Sequence, residues 1–574
     1  NGRRLNDIDL SAADLSGIPL ANIDHIEVLP GGGSVLYGDG ASGGAINIIT
    51  KQAVTNAASV AITAGSYSTK EAQANSDIVS GNASFHLFGR HAESDGYRDN
   101  TASRQDSLGL DGQAKRGQHT LFLSAQASQS DNRLAGVRKV NPDTGVDELH
   151  NAPKGTATPN DFAEEDKYQV WGGWKLAVSQ NIELVVDGSR RYKTQNSFYG
   201  DYDFGGAYDS AINTRLVTDS ITPRLQLSYT LGSLENTLRT GIDWYKTDYV
   251  SYRGNKTAAD AIHTITIDSE SRSAYLLQSS RLDKTTLTIG VRKTRIEQSG
   301  ADSLDPTAAG ADPYDSAAPA AKQQYQEEMY EAGINQALGF GLTAMLNASR
   351  SVRFGTVDES YEYDSAFMRT FSPLLPQIGK NIEAALAYDH ELGNITLTLY
   401  QQKLKNEIHF NPLTYTNDNL DPTKREGASL AATLNLPMNL QLNGSLTQQK
   451  SEFRKGPFAG NDIPLVAKHL ASLGVLWQPI STWNLAITDT YTGSKRLDND
   501  QTNDFNARIP SYHRIDAKTS YRMANWQASL ALLNLSDDTD HYEYGIRSTS
   551  PGQHNYNVYP LAGREYRLSL SYDF

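Results

Sequence analysis

The chain has no cysteine, so neither a disulfide framework nor a thiolate metal site can form. It also lacks any apolar run near the ~18 residues that a spanning helix needs. Hydrophobic residues make up 38% and mean hydropathy is -0.51, which excludes insertion as helices. Positive charge is in deficit: 52 Lys and Arg against 66 Asp and Glu leave a net charge of -14. That balance disfavours nucleic acid as a partner and suits an envelope setting, where divalent cations screen acidic loops. Catalytic signatures are missing as well, because "HEL" at His390 has no second histidine of a zinc protease and no catalytic cluster accompanies it. The chain reads as no enzyme.

What is abundant is tyrosine, 30 residues of it, a side chain suited to a boundary between water and an apolar phase. From Ser59 onward one pattern repeats: about ten residues of alternating polarity, a very short turn, another alternating stretch, then a longer polar segment. In "TLTIGVR", Leu287, Ile289 and Val291 oppose Thr288, Gly290 and Arg292, and in "IELVVDGS" Ile182, Leu184 and Val186 oppose Glu183, Val185 and Asp187. Short turns such as "SGNA" (80–83), "RGQH" (116–119), "LDK" (282–284), "PMN" (437–439) and "MAN" (523–525) alternate with long connections such as 130–165, 198–215, 299–322 and 355–379. Short on one side and long on the other is the asymmetry of an outer-membrane barrel. Counting flanks predicts a 22-stranded antiparallel transmembrane β-barrel, with about 24 residues per strand plus connection. Such a barrel is too wide for its own side chains to fill, so something must plug it. The last strand, "REYRLSLSYDF", ends on an aromatic residue.

The start of the chain supplies a candidate plug. "IDHIEVLPGGGSVLYGDGASGGAINIITK" (23–51) places glycines between two β-prone runs, without the Lys-Ser or Lys-Thr pair and helix of a phosphate loop. This stretch resembles the end of the plug of TonB-dependent outer-membrane receptors, with its "SVLYG", its "GG" pair and its final "NIIT" strand. "LLPQIGKNIEAALAYDH" (374–390), "IPSYHRIDAKTSY" (509–521) and "LLNLSDDTDHYEYG" (532–545) are similar to later segments of the same family. The cobalamin-receptor branch is the most similar in feel. The resemblance implies an all-β membrane protein: the C-terminal part of a plug in residues 1–55, without the TonB box, then the barrel in 56–574. It also implies a Gram-negative outer membrane, its lipid and lipopolysaccharide as surroundings, the TonB complex as partner, and active uptake of a metal chelate, siderophore or cobalamin-like, with a passive or scaffold barrel acting as a receptor without energised transport as the alternative. Gly31, Gly32, Gly43 and Gly44 would then meet the barrel wall, with Glu383 facing inward. Two departures stand out. Family plugs usually read Arg-Gly-Pro where this chain has Pro30-Gly31-Gly32, and Ser429 stands where members often carry Glu. The expected consequence is a missing charged latch, restored only when Pro30→Arg and Ser429→Glu are made together.

Two loops are candidates for the ligand mouth. "NSFYGDYDFGGAYDS" offers Phe198, Tyr199, Tyr202, Phe204 and Tyr208, and "DESYEYDSAFMRTF" offers Tyr361, Tyr363, Phe367 and Phe371; these rings suit a planar chelate or pack on neighbouring loops. No cofactor is expected beyond a loop-bound Ca²⁺. For that ion the candidates are Asp498, Asp500 and Asp504, or Asp302, Asp305, Asp312 and Asp315, although neither set has the Gly and terminal Glu of an EF-hand loop.

Overall fold

The computed structural model describes the chain except residues 1, 3, 10–12, 14, 16, 203–208, 256–259, 364–367, 373, 412–415, 540 and 549–551. Near the start, strands β1 (Ile23–Pro30) and β2 (Gly44–Thr50) form an antiparallel hairpin, with the short helix α1 (Ser34–Tyr37) in its connection. Everything from β3 (Ala57–Gly65) onward belongs to a closed barrel of 22 antiparallel strands or to its loops. The barrel closes where β3 pairs with the last strand, Glu565–Asp573, from Ser59 opposite Asp573 to Gly65 opposite Arg567. Each barrel strand pairs with its neighbours around the ring, so the ladder has no free edge, as a sheet spanning lipid requires.

Short turns occur where the pattern places them, for example between Lys70–Ser80 and Ala83–Ser94, and between Ala321–Gly339 and Leu342–Arg353. Their tightness is carried by left-handed residues such as Gly81, Gly117 and Asp283. One barrel strand is broken into Ser210–Ile221 and Arg224–Leu231. Pro223 stands in the break and has no N–H for the ladder. Its carbonyl still accepts from Ile242 N–H at 3.0 Å, and the buried Asp187 fills the gap by accepting from Thr222 Oγ1 at 2.5 Å and Arg224 at 2.9 Å.

Alternation divides the wall as read from "TLTIGVR": Leu287, Ile289 and Val291 are exposed on the outside, whereas Arg292 is buried in the lumen. An aromatic girdle lines the short-turn end, with Trp477 and Trp483 at 6.4 Å between ring centroids and Trp526 and Tyr572 at 4.8 Å. Ile289→Lys is therefore expected to cost ~2–4 kcal/mol of barrel stability, because it sets a charge against lipid. Urea unfolding in lipid vesicles checks this, and an unchanged midpoint would contradict the register.

At the long-loop end, connections from distant parts of the chain build a second layer. Arg138–Asn141, Val146–Asp147, Tyr542–Arg547 and Tyr556–Pro560 form one four-stranded sheet. It packs on a core that includes Val140, Leu497, Ile509 and Val558. The Arg98 guanidinium ties these loops down by donating to the carbonyls of Ala135, Gly136 and Gly155 at 2.8–3.2 Å.

Candidate functional site: the plug seat and the outer mouth

The hairpin's geometry follows from its glycines. Gly44 opposes Pro30 with φ +129°, and a Cβ there would lie 2.3 Å from the Leu29 carbonyl oxygen, so only glycine fits. Gly33, at φ +91°, turns the chain into α1. Gly43 has open space around it and carries no such constraint.

The turn sits against the lumen wall through single polar contacts. Glu331 Oε2 accepts from Gly33 N–H at 3.3 Å, Ser349 Oγ donates to the Gly31 carbonyl at 3.1 Å, and Gln402 Nε2 donates to the Ser42 carbonyl at 2.8 Å. Asn381 steadies Ser349 at 3.2 Å. Arg292 is the most deeply placed of these wall groups. It pairs with Asp243 at 2.6 Å, reaches the Val35 carbonyl at 3.5 Å, and lies 3.1 Å from where a Cβ on Gly38 would be. Gly40–Gly44 spells Gly-x-Ser-x-Gly, yet Ser42 enters a strand rather than a helix, so no nucleophile elbow is present.

The described residues before the hairpin are also held by ions. Arg4 grips Asp39 with two bonds at 2.6 and 3.1 Å, Arg191 pairs with Asp7 at 3.0 Å, and Lys193 with Asp9 at 2.5 Å. The Ile8 carbonyl accepts from Val357 N–H at 2.7 Å, which connects this segment to the underside of the outer loops. Beside the hairpin a cavity of about 630 Å³ separates Tyr37, Ile46 and Asn47 from Trp171, Tyr245 and Tyr275 of the wall.

The structure places Glu383 at the turn: its Oε2 lies 3.0 Å from where a Cβ on Gly31 would be, and Gly32 faces Asn347 in the same way at 3.1 Å. No described cation pairs with Glu383. Ser429 instead bonds Thr447 Oγ1 at 3.0 Å, on a strand two removed from that of Glu383. The expectation that the latch needs both substitutions therefore changes, since the carboxylate is already there. Pro30→Arg alone is expected to stabilise the plug by ~1.5–3 kcal/mol through a charged hydrogen bond to Glu383. Hydrogen exchange at the hairpin amides measures it, and an effect that appears only with Ser429→Glu restores the two-partner latch.

At the mouth, the candidate rings among the described residues do not converge on one site. Phe198 stacks on Phe162 at 6.4 Å, and Tyr202 donates to Asp161 at 2.9 Å while accepting from Asn160 N–H. Tyr361 is buried against Phe371, between the guanidinium groups of Arg253 and Arg369. Among the described rings, Tyr199 and Tyr202 are exposed. Tyr363 closes the short strand Tyr361–Tyr363, and Phe204, Tyr208 and Phe367 lie outside the described residues.

The acidic loops hold cations of the chain itself. Asp500 pairs with Arg496 at 2.7 Å and Arg547 at 3.1 Å, and Asp504 with Arg547 at 2.7 Å. Bonds from Thr502 and Arg547 keep the Asp504 carboxyl below its usual range. Asp498 accepts from Tyr544 at 2.7 Å; burial and then that carboxylate push the phenol well above its usual range, so it remains a donor. In the other loop, Asp302 and Asp315 clasp the buried His263 from both sides at 3.0 and 2.9 Å, while Asp305 and Asp312 cap their own turns. Among the described residues no group of three or more His, Cys, Asp or Glu is arranged to hold a metal. Neither His263 nor the arginines could be found from spacing, because they come from distant strands.

Comparison with known proteins agrees with this architecture. Residues 94–535 match the family described as TonB dependent receptor-like, beta-barrel, and residues 1–45 match the TonB-dependent Receptor Plug Domain. The ferrichrome outer membrane transporter/phage receptor of Escherichia coli K12 is 22% identical over 571 residues, covering 88% of this chain and 73% of that protein. The vitamin B12 transporter BtuB of Photobacterium profundum is 48% identical, but over 50 residues, 9% of this chain and 8% of that one. Among solved structures, the ferric-catecholate import receptor Fiu of E. coli K12 superposes with a TM-score of 0.78 at 16% identity, over 96% of this chain and 86% of its own. With a glycine hairpin seated inside a closed 22-stranded barrel and both parts matched, the chain belongs to the TonB-dependent receptor family of the outer membrane.

Proposed function

We propose that the protein takes up a metal chelate across the outer membrane, driven by TonB. The observation that carries this reading is the way the plug is held. The Gly31–Ser42 turn meets the wall through a few separate hydrogen bonds and one buried apolar side chain, Val35, so it can be pulled free and reseated by breaking single contacts and without opening a large hydrophobic core. The outer membrane stores no usable gradient, which makes a pull delivered from the periplasm the natural energy source.

A ferric siderophore is the favoured ligand class, because the relatives that match most of the chain carry ferrichrome or siderophore in their names. Cobalamin is the second reading. It rests on the higher identity of the short stretch shared with BtuB, which covers little of this chain.

Accumulation of radiolabelled ferrichrome, a ferric catecholate and cyanocobalamin, in cells with and without TonB, tests the proposal. Uptake of a ferric chelate that stops without TonB is the expected result. Equal uptake in both strains would mean a passive pore, and TonB-dependent uptake of cyanocobalamin alone would select the second reading.

A further inference from the structure

One histidine of the outer loops is held in a way that fixes its charge. His263 opens the strand His263–Leu282 and is 1% exposed. Its Nδ1 lies 3.0 Å from Asp302 and its Nε2 lies 2.9 Å from Asp315. An ionised carboxylate only accepts, so both ring nitrogens have to donate, and the imidazolium form alone carries two N–H groups. The surroundings keep both carboxylates ionised. Burial opposes the charge on Asp302, but bonds from His263, the Ala318 N–H and Tyr361 outweigh it and hold the carboxyl below its usual range. At Asp315 burial is likewise outweighed, by His263 and by Arg369 at 3.4 Å.

Charges on the neighbouring elements complete the balance. Arg253 stands directly opposite His263 across the ladder and pairs with Asp358 at 3.5 Å. Arg253 and Arg369 flank the Tyr361 ring, whose hydroxyl donates to Asp302 at 2.9 Å. Burial above all pushes that phenol well above its usual range, so it adds no charge of its own. With His263 protonated, its cation and those of Arg253 and Arg369 meet the carboxylates of Asp302, Asp315 and Asp358. With a neutral ring, one carboxylate loses its cation and faces a nitrogen lone pair.

Separate parts of the chain meet at this ring. Asp302 lies near the end of the strand Thr285–Leu304, Asp315 in the connection 305–320, and Tyr361 and Arg369 in the paired strands Tyr361–Tyr363 and Arg369–Phe371. Counted from the short turn at 283–284, Asp302 is far past the about 9–11 residues that cross the bilayer, so the cluster stands outside the membrane. Ala318, Tyr361 and Phe371 close a core with Ile265, and Ile8 of the N-terminal segment packs against it. Whatever holds 305–320 down therefore also covers that segment.

We propose that His263 is a proton-dependent clasp: when protonated it binds the connection 305–320 to the barrel wall and to the Tyr361–Phe371 strand pair, and on losing its proton it lets that connection lift from the mouth. Histidine is the side chain whose charge changes nearest neutrality. The clasp is intact while the ring is charged and both carboxylates are ionised. It is lost as pH rises and the imidazolium gives up its proton, and again as pH falls through the depressed carboxylate range. The controlled quantity is access to the plug from outside, whichever chelate is carried.

The chain has no cysteine, so a pair can be introduced for spin labels. Tyr314→Cys, at a position 90% exposed in the connection, and Val146→Cys, in the outer four-stranded sheet, carry them. Double electron–electron resonance then reads the distance between the labels on the intact protein in phosphatidylcholine nanodiscs, from about pH 5.5 to about pH 9.5. One narrow distance is expected at the acid end and a broad distribution at the alkaline end, with the ratio of released to clasped molecules rising about tenfold per pH unit through the transition. His263→Gln should be broad throughout. Asp315→Asn should stay narrow throughout, because its amide donates to a neutral ring whose other nitrogen donates to Asp302. A merely structural histidine would not give that second result, and Asp315→Asn decides the matter alone if His263→Gln fails to show the heat-modifiable gel mobility of a folded barrel. Loop position is measured and not uptake, so failure of the transport reading leaves this outcome untouched. A wild-type distribution independent of pH, a pH-dependent broadening that persists in His263→Gln, or an Asp315→Asn variant that opens with pH as wild type does would overturn the clasp.

Discussion

Replacing Arg292 by Met is expected to loosen the plug while leaving the barrel's strand pairing in place. The Arg292 guanidinium is almost fully buried and has two tasks: it neutralises Asp243 at 2.6 Å, and it reaches the Val35 carbonyl of α1. Removing it orphans a carboxylate inside the lumen, a change that typically costs ~3–5 kcal/mol, whereas replacing both partners by neutral groups is far milder. Hydrogen exchange at residues 33–40 should therefore rise sharply in Arg292→Met. In the double variant Arg292→Met, Asp243→Asn it should fall back towards wild type without reaching it, because the contact to Val35 is still gone. Sensitivity to large antibiotics that the seated plug excludes should follow the same order. Unchanged exchange in the single variant would show that this ion pair braces the wall and not the plug.

The second large effect is a contrast between neighbours. Gly44→Ala is expected to disrupt the hairpin, and Gly43→Ala to leave it intact. At Gly44 a methyl group would lie 2.3 Å from the Leu29 carbonyl oxygen and 3.1 Å from Pro30 Cα, with φ at +129°, and both obstacles are backbone that cannot step aside. Strain of this kind costs ~1–3 kcal/mol before the overlap is counted. At Gly43 nothing lies within 4 Å of the added carbon. Limited proteolysis of folded barrels should release fragments from the 23–50 region only in Gly44→Ala. Equal protection of the two variants would sink the claim that this close approach forms the plug's turn.

Much of this fold was legible in the residue order because its rules are local. A period of two divides each strand into faces, which is why Leu287, Ile289 and Val291 could be assigned to lipid and Arg292 to the lumen. Tight turns need residues that accept left-handed backbone, which is why "SGNA" and "RGQH" stand out. Barrel closure and strand number follow from counting such units. The glycine-rich opening identified the plug for the same reason, since its turn chemistry lies within about thirty consecutive residues.

What residue order could not decide is which side chains meet across the lumen and above it. Glu331 and Gly33 are 298 positions apart, and Arg292 and Val35 are 257 apart, so their contact exists only once the barrel has closed around the hairpin. The loop aromatics stay open between ligand contact and loop packing in the sequence, because composition does not distinguish a ring that stacks on Phe162 from one that meets a chelate. From order alone the aspartates at 498–504 are either a solvated acidic loop or a candidate Ca²⁺ set, and their pairing with Arg547, some forty positions away, exists only through the packed outer sheet. Register decides one more juxtaposition: Lys380, Lys403 and Lys424 are unremarkable in their own strands and stand side by side only because hydrogen bonding between strands aligns them. Local periodicity thus determined the barrel and its plug, while long-range pairing decided what holds the plug, what fills the mouth and where charge gathers on the outer wall.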